Sequence, residues 1–408
     1  MKILEQALNK IKSIHKKQYI FFISLIQGLI GIAGKRTFRN LARYMQIDEH
    51  TFARQMKKEF DFIGLNMHMI EAIKSKDEVA IAAQDATFMP KAGKKTYGLA
   101  RFWNGVANKV EKGLELDVIS IVKLGEKKEC YTVSAQQTPA SSREKTKKKK
   151  QDSSKIDFYI AHVKKALSAL IALGIKYIAV DAFFAKNKYV NGVVALGLHV
   201  VSKLRIDARL RRIYTGPQKA LGRKKKFDTG SICTDDFKNS KVTNIDTEAI
   251  ELRSCIAHSV SLGRLIKVVL VRKKLDENKY GEAYLFSTDL KLSDLCIYEF
   301  YVARFQIEFI FRDAKNFTGL GDCQSRDAQR LHYHFNASLT ALNIAKIQDS
   351  EIQKSSQVTR PFSMASWSRK YHVGIVINRF ISMFGFDQTL IKSHPNYNQF
   401  LEFGSIHY

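Results

Sequence analysis

The chain has 408 residues, with 67 lysines and arginines against 39 aspartates and glutamates, for a formal charge of +28. A surplus of that size in a chain with 45% apolar residues predicts a folded protein that binds a polyanion through counterion release, with nucleic acid as the leading partner class. Five scattered cysteines (Cys130, Cys233, Cys255, Cys296, Cys323) without a C-x-x-C pair exclude a disulfide framework and a cysteine-based zinc site, so a reducing cytoplasm is expected. The length suggests two to three structural domains.

Residues 1–75 read as a helical N-terminal domain. The apolar run YIFFISLIQGLIGIAG (19–34) follows a basic stretch and imitates a signal sequence. It is short for a membrane span and contains Gln27, so a buried helix is expected and no membrane association. Within Thr37–Met56 the pattern resembles a helix-turn-helix with Asp48 as the N-cap of its second helix. His50, Thr51 and Arg54 would face a DNA groove, although two ordinary packed amphipathic helices give the same pattern.

From residue 76 the apolar period becomes that of strands. EVAIAAQDATF is a strand ending at Asp85, followed by LELDVISIVKLG and KECYTVSAQQT. The lysine-rich run from Ser141 to Lys155 reads as an exposed loop. An amphipathic helix (IDFYIAHVKKALSALIALGI), a buried strand stopping at Asp181, a short helix near Tyr189–Leu196 and the strand HVVSKL complete this part at residue 202. Three strands, helix, strand, helix, strand is the order of a ribonuclease H-like α/β core, with IAVD as a central parallel strand. Asp85 and Asp181 then fall at strand ends, where open α/β sheets build their sites. Residues 203–290 read as a β-rich insertion with a basic leading edge: ten lysines or arginines and one acid lie between Lys203 and Lys226, including Arg211, Arg212 and Lys224. A helix at about 297–317 returns the chain to the core, which runs over 291–350. Residues 351–408 read as a helical appendage containing Trp367.

That returning helix carries Tyr301, Arg304, Glu308 and Lys315 at offsets of three, seven and fourteen. At about 100° per residue they fall within a sector of about 60°, joined by Arg312, and at about 1.5 Å rise Tyr301 and Lys315 lie roughly 21 Å apart. Val302, Ala303, Ile307, Phe309, Ile310 and Phe311 form the opposite, apolar side. A face of that length, with one carboxylate among cations, suits an extended polyanion. Asp85, Asp181 and Glu308 together would make a carboxylate cluster of the kind that hard divalent cations favour for phosphoryl transfer. Taken singly, each has a plainer reading as a turn, cap or solvated helix residue, and Arg304 could simply pair with Glu308.

The Y-x2-R-x3-E-x6-K spacing resembles the signature of bacterial insertion-sequence DDE transposases of the insertion sequence four family. RFQIE, QDATFMPKAGKKTYG, VDAFFAKNKYV, AYLFSTDLKLS and GLGDCQSR also resemble that family's surroundings, over roughly residues 78–348. The resemblance implies a ribonuclease H-like fold and cut-and-paste transposition, in which Asp85, Asp181 and Glu308 hold two Mg²⁺ ions (Mn²⁺ as a substitute). Water cleaves one strand at the transposon end and the freed 3′-hydroxyl attacks the other strand or the target. It implies double-stranded DNA as partner, a homodimer in the DNA complex and a nucleoid-associated bacterial protein. Tyr301, Arg304 and Lys315 would grip DNA phosphates, with Arg312, Arg211, Arg212 and Lys224 as further contacts. A DNA hairpin step would require an aromatic in the insertion, such as Tyr214, to hold a flipped base. A nuclease without strand transfer and a catalytically inactive DNA-binding regulator are the alternatives.

Overall fold

The computed structural model describes all residues except 1, 12–13, 76, 141–153, 233, 238–241, 246–249, 277–278, 358–359 and 407–408. The lysine-rich run expected to be a loop therefore lies almost wholly outside the described residues. Five helices open the chain: α1 (Lys2–Asn9), α2 (Lys16–Gly31), α3 (Phe38–Met45), α4 (Glu49–Gln55) and α5 (Phe62–Ile73). The apolar run is α2, with Phe22, Leu25, Ile26, Leu29 and Ile30 fully buried. Among the described residues no helix is long and apolar enough to cross a membrane. Asp48 caps α4 by accepting from the Thr51 amide at 3.0 Å. The turn before it needs a left-handed residue, and Gln46 takes that conformation (φ 54°) where a glycine would do so without strain.

The sheet begins with β1 (Ala80–Pro90), β2 (Ala100–Asn104), β3 (Lys109–Leu124) and β4 (Lys128–Gln137). There follow α6 (Lys155–Ala172), β5 (Tyr177–Val180), α7 (Asn187–Ala195) and β6 (His199–Leu204). β1 pairs antiparallel with β3 and parallel with β5; β4 pairs with β3, and β5 with β6. The spatial order β4-β3-β1-β5-β6 is a ribonuclease H-like core. One strand more than expected precedes α6, because Ala100–Asn104 is too short and mixed to announce itself. β1 also runs past Asp85 to Pro90, since β3 goes on pairing with it there.

The segment after β6 holds β7 (Leu210–Arg211), β8 (Val242–Ile245), β9 (Ile250–Ser259), β10 (Arg264–Asp276) and β11 (Lys279–Ser287). These strands continue the core sheet: β11 pairs antiparallel with β6, from Tyr284 opposite Leu204 to Ser287 opposite Val201, and the order runs on through β10 and β9 to β7. The expected single helix at 297–317 is two, α8 (Asp294–Ala303) and α9 (Gln306–Phe317). No proline or glycine marks the break. Arg304 and Phe305 keep right-handed helical angles, but Phe305, Ile307 and Glu308 donate to carbonyls three residues back, which tightens the turn. The chain ends with α10 (Ala328–Ser356), α11 (Met364–Phe384), α12 (Gln388–Ser393) and α13 (Tyr397–Leu401). α11 lies on α2 so closely that a Cβ on Gly31 would meet the Tyr371 backbone at 2.8 Å. Trp367 is buried there, its indole donating to Asp349 at 3.0 Å.

The outer edge of β4 would expose unpaired backbone groups to the core. Two asparagines of α10, seven residues apart and so on one helix face, act as the missing strand. Asn343 accepts from the Thr132 amide at 2.9 Å and donates to its carbonyl at 2.8 Å, and Asn336 does the same for Ala135 at 3.0 Å in each direction. Asn343→Leu leaves both Thr132 groups buried and unpaired, and is expected to cost about 2 to 6 kcal/mol at about 1 to 3 kcal/mol per group. Chemical denaturation of the variant against the parent measures it.

Candidate active site

The placement of the two aspartates follows from register. Gln84 of β1 lies opposite Val180 of β5 in the parallel pair, so the next residues, Asp85 and Asp181, stand side by side on neighbouring strands. Asp181 then leaves the sheet and caps a short 3₁₀ turn (Ala182–Phe184), accepting from the Phe183 amide at 2.9 Å. Glu308 comes from the first turn of α9, which packs on the sheet through Ile307, Ile310, Phe311 and Ala314. Of the residues expected on its apolar side, Val302 and Phe309 are instead partly exposed.

Asp85, Asp181, Glu308 and Lys315 line one cleft of about 810 Å³. Arg304, at the end of α8, contacts two of these carboxylates. One guanidinium nitrogen lies 3.1 Å from Asp85 Oδ2 and the other 3.7 Å from Glu308 Oε1, with its side chain only 11% exposed. Tyr301 stands beside it, the guanidinium carbon 5.8 Å from the ring centre. Arg304 thus bridges two of the carboxylates: the contact with Glu308 is the i,i+4 pairing that the sequence allows, while the one with Asp85 depends on the fold. Among the described residues no three histidines, cysteines or acids form a ready-made metal site. The donor set nevertheless fits a hard divalent cation. All three groups offer carboxylate oxygens, and a bound cationic side chain already stands in for the positive charge they require.

The other expected contacts are distributed differently. Arg312 is outside this cleft: it pairs with Asp313 at 2.8 Å, lies over Phe309 and borders a separate pocket with Lys127, Lys128 and Lys346. Arg211 and Lys224 are exposed, and Arg212 pairs with Asp236. β7, which carries Arg211, is six strand spacings from β1, roughly 29 Å at about 4.8 Å each. Tyr214 is partly covered, with Lys225 over its ring at 4.2 Å and its hydroxyl donating to Pro217.

Several residues at the cleft went unnoticed in the sequence. Glu115 accepts from Tyr159 at 2.9 Å and pairs with Lys155 at 2.7 Å, and Lys155 also lies over Phe102 and Phe183. Trp103 and Val106, on the β2–β3 hairpin, overhang the same cleft with 56% and 97% of their surface exposed. Behind Asp85, on the opposite face of β1, Gln84 donates to Asp117 at 2.7 Å and accepts from Tyr189. Asp117 in turn holds His162 at 2.6 Å, and the second ring nitrogen of His162 meets Ser134 at 2.9 Å, all within the core. Only the fold brings these distant residues together.

Burial pushes the Asp85 carboxyl up to about 7; Arg304 opposes the shift, while the charges of Asp181 and Glu308 add to it. Burial raises Asp181 and Glu308 as well, again against Arg304. In the unfolded chain Asp85 ionises near about 3.9. Between about 4 and about 7 the folded protein keeps a proton that the unfolded chain has released, so this group's contribution to stability falls as pH rises through that window. Asp85→Asn is expected to flatten the dependence of Tm on pH in metal-free protein across that range. A Tm series on both proteins checks it, and identical slopes would contradict it.

Comparison with known proteins adds one finding. A family model described as DDE superfamily endonuclease matches residues 22–249, a span that includes Asp85 and Asp181 and stops before Glu308. No curated protein matches the chain. The matched span is more than half of the 408 residues, and the protein belongs to the DDE superfamily endonuclease family.

Proposed function

We propose that the protein is a DNA transposase of the insertion sequence four type, cutting the ends of its own element and joining them to a target by phosphoryl transfer. The observation that carries this reading is the pairing of Asp85 with Asp181 across neighbouring strands, at a cleft whose other wall presents Glu308 and Lys315. Membership of an endonuclease family and the charge of +28 support DNA as the substrate. Asp85, Asp181 and Glu308 would hold magnesium, with manganese as a substitute. When bound, such an ion supplies Lewis acidity at the reacting phosphate and acidifies water.

The chain's own groups divide the remaining work. Lys315 offers a point charge to a phosphate at the cleft, and Tyr301 and Arg304 supply a hydroxyl donor and a forked cation beside it. Trp103, 56% exposed at the cleft, would offer a face on which an unpaired base of an opened DNA end stacks, at about 1 to 3 kcal/mol per base, whereas Lys186 already lies over the Phe183 ring at 3.8 Å. With the Tyr214 ring under Lys225, Trp103 is the better candidate for that task. Arg211, Arg212 and Lys224 would hold duplex farther out, and the α3–α4 pair, with His50 and Arg54 exposed, would read the ends. In this reading residues 1–75 recognise DNA, 76–202 and 291–350 form the catalytic core, 203–290 its basic extension and 351–408 a helical appendage, with two protomers pairing two ends.

Purified protein with Mg²⁺ and supercoiled DNA carrying the sequences that flank its own reading frame is expected to release those ends and form joined product. Asp181→Asn is expected to lose cleavage while binding DNA normally; equal cleavage by the variant would remove Asp181 from the site, and cleavage without joined product would indicate a nuclease. Of the two tryptophans, Trp367 is buried and remote from the cleft, so quenching of tryptophan fluorescence by DNA should report Trp103. Trp103→Phe is expected to lose most of that quenching. Persistence of the full signal in the variant would exclude the stacking role.

A further inference from the structure

We propose that Arg304 makes divalent-cation binding at this cleft conditional on DNA, by exchanging its carboxylate partners for a backbone phosphate. The inference rests on the phosphoryl-transfer reading above and concerns how that site is controlled. The Arg304 guanidinium lies beside the Tyr301 ring with one terminal nitrogen on Asp85 and the other toward Glu308, while its Nε is buried with no hydrogen-bond partner among the described residues. A divalent ion on Asp85 would compete for the carboxylate oxygen that a guanidinium nitrogen now holds at 3.1 Å. The two cations exclude each other by volume and by charge, so the side chain must withdraw before an ion can settle.

The surroundings give it somewhere to go. Arg304 lies at the junction of α8 and α9, where the hydrogen bonding shifts to three-residue steps, and its neighbours Phe305 and Val302 are exposed at the same turn. A phosphate matches the planar fork as well as a carboxylate does and makes a charge-assisted pair of the same kind. DNA that offers this phosphate frees Asp85 and Glu308, and by linkage a bound ion strengthens DNA binding by the same factor. Without DNA the carboxylates remain neutralised by the protein itself, and the cleft does not load the ion that would activate water.

The test measures ion binding rather than activity. Mn²⁺ titrations of the full chain at pH 8, read by loss of the free-ion electron paramagnetic resonance signal, are run with and without a short duplex and corrected for the duplex alone. DNA is expected to tighten Mn²⁺ binding to the parent by about tenfold or more; Arg304→Gln should gain about as much without DNA and respond to DNA by less than about threefold. Arg304→Lys keeps the charge but spans only one carboxylate, so it should fall between the two and provides a second comparison if the glutamine variant does not fold. Equal Mn²⁺ affinity of parent and Arg304→Gln without DNA overturns the inference, as does an equal DNA effect on both. If binding in those cases is still lost in Asp181→Asn, the carboxylate site itself stands. Absence of Mn²⁺ binding in every protein, with or without DNA, removes both readings.

Discussion

The register of β1 is the constraint on which the rest of this molecule depends. Its side chains alternate between two faces, so a slip of one residue would turn Asp85 into the core and Gln84 into the cleft. Both neighbours fix it, β3 antiparallel along its whole length and β5 parallel over three pairs. The buried chain from Tyr189 through Gln84 and Asp117 to His162 and Ser134 fixes it again from behind, because each of these polar groups is tolerable in the core only with its partner in place. Polar groups that do no chemistry thus decide where the acidic groups of the cleft stand.

Electrostatics in the cleft runs against the protein's overall balance. A chain with a large cationic surplus concentrates acids at one point, and burial there makes ionisation costly for each of them. Arg304 relieves the cost locally. The same cationic surface that draws in a polyanion therefore supplies, from its own stock, the group that occupies the carboxylates.

How much could be read beforehand depended on whether the information was local. Asp85 and Asp181 stood out because apolar strand patterns led into them, and Glu308 because helical spacing set it among cations. The core order was legible for the same reason, every element but the short β2 having a clear period. Long-range partners were not legible. Glu115 and Lys155 are 40 residues apart and meet only through β3 and the start of α6, and Asn336 and Asn343 look like ordinary helix residues until β4 is beside them. The split between α8 and α9 left no trace either, since Arg304 and Phe305 are both acceptable helix formers and only the hydrogen-bond step changes there. The extension of the sheet beyond β6 was hidden because β-like runs do not say which edge they will join.

That extension has a mechanical side. The strands beyond β6 are hydrogen-bonded into the same sheet as β1 and β5, without a hinge between the carboxylates and the basic edge at β7. A sheet does not stretch across its strands, so the lateral spacing of roughly 29 Å between β1 and β7, at about 4.8 Å per strand, is held by hydrogen bonds. It corresponds to about eight base pairs of duplex at about 3.4 Å each. The spacing between the carboxylates and Arg211 is therefore set by the sheet itself and not by a loop joining separate units.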